Sequence, residues 1–141
     1  MELLVIHVVV VLIIDVNICL PYVYVGEMYI LFTYRIERKA NTPVTIDCDY
    51  TLLKEREAFE LVQQISLFPE LVEASFKTLE PCTIVNYLFK LSHAISTANN
   101  RLRVKNMNPE LAASRMLLFW AAKTTLSNGL SLLGLRPIER M

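Results

Sequence analysis

From Thr51 onward, prolines mark off segments in which apolar residues recur every three or four positions, a combination that admits little but helices. Pro69, Pro81, Pro109 and Pro137 stand at the borders of these segments. A proline ring fixes φ and lacks an N–H, so it opens a helix readily and forbids its continuation. In the first segment, residues 51–68, the spacing predicts an apolar stripe of Leu52, Phe59, Val62 and Ile65. Glu55, Glu57 and Glu60 would lie on its solvated arc. In the second, residues 69–80, Val72, Phe76 and Leu79 share a face. In the third, residues 81–100, the stripe is Ile84, Leu88, Leu91 and Ile95, with Tyr87 and Phe89 as packing residues and His93 on the surface. The fourth has a marked start: Asn108 as N-cap, Pro109 at the first helical position and Glu110 in the first turn. Leu111, Leu118, Ala122, Leu126, Leu130 and Leu133 then follow one face, Phe119 joins them, and Trp120 falls on the flank. Gly134 is placed as a C-cap glycine, and Pro137 bars more helix. Four such helices with short links predict an all-α helical bundle.

The opening third has a different texture. Residues 3–14 are apolar except for His7, and no Lys or Arg occurs before Arg35. A membrane span needs about 20 predominantly apolar residues, and Asp15, Asn17 and Pro21 interrupt every such window. The positive n-region of a secretory signal is missing too. The expected organisation is therefore an apolar segment of uncertain structure over residues 1–34 and a helical domain over residues 35–141. Between them "NTPVTIDCDY", residues 41–50, has turn chemistry and reads as a loop. Cys19, Cys48 and Cys82 lack metal-site spacing and read as ordinary thiols, so no metal is expected. The formal charge is zero, but residues 81–141 carry eight bases and two acids. A basic C-terminal half points to an anionic partner, against the plainer reading of a solvated charged surface.

The pieces "FPE", "EP", "YLF-L", "NGL-LLG" and the terminal "ERM" occur in an order and spacing that resemble the C-terminal domain of arginyl-tRNA synthetases. The resemblance runs from about Ile36, where "IERKA" is similar to the family's entering helix, to Met141, about three quarters of the chain. It does not extend to residues 1–33 in this reading. It implies the DALR-type anticodon-binding helical bundle, a partner in the anticodon stem-loop of arginine tRNA, and a place in the cytoplasm or the mitochondrial matrix. ATP is the family's co-substrate, but no cofactor is expected in this chain. The family's HIGH-type histidine motif and KMSK-type lysine loop have no counterpart: the only histidines are His7 and His93. The chain is accordingly read as a non-catalytic fragment of a ligase, its first thirty-odd residues either spurious translation or a fused segment. The rival reading is a membrane-anchored helical module that binds another protein.

What the resemblance implies for the site departs from the family's pattern at one place. Many members carry an aromatic residue at the end of the third helix, and some a second four residues later. Asn99 and Arg103 stand there in this chain. Loop bases stack on rings or on a guanidinium plane, so Arg103 is a candidate substitute for a ring. Asn99 and Asn100 would read base edges, and Arg101 and Lys105 would meet phosphates. At the tail, Leu135 and Ile138 would pin the chain to the bundle while Arg140 and Met141 face the RNA. The plain alternatives are a solvated basic linker and a tail that only seals the core.

Overall fold

A computed structural model describes residues 44–135. Expectations that fall on residues 1–43 and 136–141, including the apolar opening segment and the RNA-facing Arg140 and Met141, lie outside the described residues. The chain enters through a 3-10 turn, Tyr50–Leu52, capped by the Asp49 carboxylate, which accepts from the Thr51 N–H at 2.9 Å. Four helices follow: α1, Arg56–Ser66; α2, Phe68–Thr78; α3, Cys82–Arg101; and α4, Pro109–Leu132. Among the described residues the architecture is an all-α bundle, as the periodicity predicts. Helix α3 is its centre: α1, α2 and α4 all pack on it, and α1 also touches α4.

The third and fourth stripes are where the spacing puts them. Ile84, Leu88, Leu91 and Ile95 are buried on α3, and Leu118, Ala122, Leu126 and Leu130 on α4, with Phe119 inside and Trp120 at the edge. At the two ends of the α4 stripe Leu111 and Leu133 are only half-buried, and near the start Ala112 and Met116 are the buried residues. The two helices approach so closely that a Cβ added at Gly129 would stand 2.4 Å from Leu88 Cδ2. Helix α4 begins as read, with the Asn108 side chain accepting from the Glu110 N–H. It ends in a Schellman turn. Gly134 takes φ +76°, its N–H bonds to the Ser131 carbonyl, and the Leu135 N–H reaches back to that of Leu130.

The first two stripes are corrected. On α1, Phe59 and Val62 are exposed, and the buried residues are Ala58 and Leu61, with Ile65 packed against the core. The error lies in the start. Leu52 belongs to the separate 3-10 turn, so counting onward from it selects the neighbouring face of a helix that begins only at Arg56. On α2, Phe76 is 79% exposed and Leu79 65% exposed, while Phe68 and Leu71 pack on the core and Ser75 is buried. Leu79 is past the helix: it adopts the left-handed conformation at φ 57°, and the Ser75 carbonyl and hydroxyl bind the Glu80 N–H and carbonyl across the turn.

Candidate nucleic-acid interface

The expected site residues gather at the junction of α3 and α4. Helix α3 runs to Arg101, so Asn99, Asn100 and Arg101 occupy its last turn, Asn99 half-buried and the other two exposed. The connector then alternates. Leu102 and Val104 are buried, at 2% and 7% exposure, while Arg103 and Lys105 point to solvent. Two apolar anchors thus hold an irregular strand of chain against the core and turn its basic residues outward. Asn106 reverses the chain at φ 64°, a conformation asparagine tolerates. Asn108 then caps α4.

The five expected residues from Asn99 to Lys105 are therefore brought together on one end of the bundle. Arg101 is loosely opposed by Glu57, with Nε 3.8 Å from Oε1 and 73% of the arginine side chain exposed. An exposed pair of that kind contributes little stability.

Sequence reasoning missed the group that organises this junction. Arg115, on α4, is 5% exposed. One end of its guanidinium donates through Nη1 to the Arg103 carbonyl, and the other through Nη2 to Glu55 Oε1. Glu55 is thus corrected: it is no member of a solvated arc but stands at the N-cap position of α1, where its carboxylate meets a buried cation instead of capping the helix. Burial pushes its carboxyl up, yet the Arg115 hydrogen bond and charge, with backbone N–H groups of Glu55 and Lys54, outweigh that and hold it below the ordinary carboxylate range. Glu57, beside Arg101, is likewise half-buried, whereas Glu60 is exposed and pairs with Arg56. The missed signal was present in the stripe itself. Leu111 to Leu118 leaves a gap of two turns, and the residue that fills it is Arg115. A charge on a core face has a buried partner or a function.

Two other polar contacts lock the same end and its opposite. The Ser114 hydroxyl reaches the Asp49 carbonyl at 2.9 Å, tying the entering segment to α4. The Tyr87 hydroxyl donates to the Gln64 carbonyl at 2.8 Å, and burial pushes its pKa up to about 12. Its ring packs on Phe68 with centroids 5.7 Å apart. Among the described residues no group of three or more His, Cys, Asp or Glu side chains is placed to hold a metal, and no helix is long and apolar enough to cross a membrane.

A four-helix fold with an outward basic connector is compatible with many partners. Residues 33–141, however, match the family described as the DALR anticodon binding domain. The chain belongs to that family. Relatives of this DALR-domain chain include the probable cytoplasmic arginine–tRNA ligase of Dictyostelium discoideum, 42% identical over 106 residues, and the cytoplasmic arginine–tRNA ligase of Saccharomyces cerevisiae, 44% identical over 96. These matches cover 75% and 68% of this chain but 18% and 16% of the relatives. The mitochondrial arginine–tRNA ligase of the same yeast is 32% identical over 121 residues, covering 86% of this chain and 19% of its own length. That match is longer than residues 33–141, so it takes in sequence upstream of Thr33. The DALR-domain chain thus spans less than a fifth of the length of these relatives.

Proposed function

We propose that this chain is the module of an arginine–tRNA ligase that grips the anticodon arm of arginine tRNA. The observation that carries the reading is the connector between α3 and α4, where buried Leu102 and Val104 alternate with outward Arg103 and Lys105 beside the last turn of α3. Arg103 supplies a planar surface for an unstacked loop base, Arg101 and Lys105 meet phosphates, and Asn99 and Asn100 offer amides to base edges. The family, and relatives named as arginine–tRNA ligases, support the choice of RNA over a protein partner. Leu135 packs against the core, which supports a tail held to the bundle, with Arg140 and Met141 offered to the same loop.

Binding, in this reading, is a contribution to catalysis made elsewhere. A grip on the anticodon arm orients the acceptor end in a distant site, so contact energy here lowers a barrier by positioning. Activation of arginine with ATP belongs to the remainder of such ligases, and no residue of this chain is assigned to it. The cytoplasm or the mitochondrial matrix is the corresponding location, since relatives of both kinds match.

Titration of an arginine tRNA anticodon stem-loop against the purified chain tests the reading. Affinity is expected to fall steeply with salt, as cations that neutralise phosphates release counterions. Arg103→Ala is expected to cost about 1–3 kcal/mol, the range for a base-stacking platform. A dissociation constant that responds neither to salt nor to this substitution would return the connector to solvent.

A further inference from the structure

Arg115 does more than fill a buried position. It joins three pieces of chain that are remote in sequence: its own helix, the Glu55 entry to α1, and the backbone of the basic connector at Arg103. The peptide group it holds is the one between Arg103 and Val104. Held there between the buried Leu102 and Val104, that carbonyl restrains ψ of Arg103, and with it the direction in which the Arg103 side chain leaves the bundle. Nothing in the connector's own hydrogen bonding does this, because the Arg103 N–H reaches only to the Arg101 carbonyl and the Leu102 N–H to that of Ala98. The pair is also a poor device for stability alone. Arg115 Nε and Glu55 Oε2 are enclosed without a hydrogen-bond partner, and a buried ion pair with unsatisfied atoms is often no better than apolar side chains of the same size. A guanidinium is suited to the task because its rigid fork serves two acceptors at once, which the single ammonium of lysine does not.

We propose that Arg115 is a positioning residue for RNA binding: clamped by Glu55, it holds the Arg103 carbonyl and so orients Arg103 and Lys105 toward the nucleic acid. The inference rests on the RNA-binding reading above. It assigns the gain to preorganisation, since a side chain already aimed loses less freedom on binding than one on a loose connector.

The test is a double-mutant cycle on the full chain, with an arginine tRNA anticodon stem-loop transcript as probe and circular dichroism recorded on each sample. Arg103→Ala is expected to weaken binding by about fivefold or more, the equivalent of a single lost stacking contact. Arg115→Met, at a temperature where its helical signal matches the parent, should lose a comparable factor. In the Arg103→Ala background the same change should add less than about twofold, because the two residues act through one contact. Arg115→Lys takes the place of Arg115→Met in the cycle if the latter unfolds, and should show the same coupling. Additive losses, or an Arg115 variant that binds like the parent, would overturn the proposal, as would loss of the fold in both variants. A parent chain that binds but ignores Arg103→Ala also overturns it and leaves the broader reading standing. A parent chain that does not bind defeats the RNA-binding reading itself.

Discussion

The Glu55 carboxylate keeps 32% of its side-chain surface in contact with solvent, while its partner Arg115 keeps 6%. The asymmetry decides how the pair responds to pH. Glu55 has its folded-state pKa depressed below the reference value of 4.5. Its contribution to stability is therefore complete above the unfolded-state pKa and disappears as pH falls through the lower, folded-state value. Urea midpoints measured on the parent chain and on Glu55→Gln should converge as the solution is acidified through that window. At neutral pH the variant should be less stable by about 1–3 kcal/mol, below the ~3–5 of a fully buried broken pair because water reaches the carboxylate and the amide still accepts a hydrogen bond. Parallel curves at all pH values would show that Glu55 does not titrate against Arg115.

Among the helices, α3 and α4 present the inner faces expected of them, and α1 and α2 do not. Helix α4 has an asparagine cap, a proline, an acidic first turn and a glycine terminus, and its inner face is the expected one. Helices α1 and α2 are separated by Leu67 alone. With one residue between them, the face each presents depends on how that corner folds, and the Tyr87 hydroxyl on the Gln64 carbonyl belongs to the tertiary structure. The Schellman turn at Gly134 and the packing of Leu135 make the end of α4 self-sufficient. Deleting residues 138–141 should accordingly shift the melting temperature little. If Arg140 and Met141 face the anticodon loop, the same deletion should weaken stem-loop binding by about 1–3 kcal/mol, the scale of one or two lost base contacts. A large loss of stability with unchanged affinity would make the tail a lid on the core.

At the scale of the whole molecule, the described residues form one small bundle with a basic connector at one end, and the chain spans less than a fifth of the relatives it matches. If its part in aminoacylation is positioning, the chain alone should bind anticodon stem-loop but support neither arginine-dependent exchange of pyrophosphate into ATP nor charging of arginine tRNA. Both assays are sensitive to traces of activity, so arginine-dependent exchange by the purified chain would place a catalytic centre within it and overturn the proposed division of labour.

Much of this protein is legible in its residues taken in order. The number of helices among the described residues, the boundaries of α4, the inner faces of α3 and α4 and the grouping of Asn99, Asn100, Arg101, Arg103 and Lys105 follow from periodicity, caps and local spacing, because those are short-range effects along a single helix or turn. The inner faces of α1 and α2 do not follow. Both carry apolar residues on more than one side, so Phe59 and Val62 compete with Ala58 and Leu61, and only packing against α3 chooses between them. The role of Glu55 is hidden for a related reason: its partner is sixty positions away, and a carboxylate on a short helix looks solvated until a buried guanidinium arrives beside it. Local chemistry along the chain determined which helices form and where the cations sit. Long-range packing decided which faces turn inward and how Arg115 holds the connector, because both depend on contacts between segments that no local pattern records.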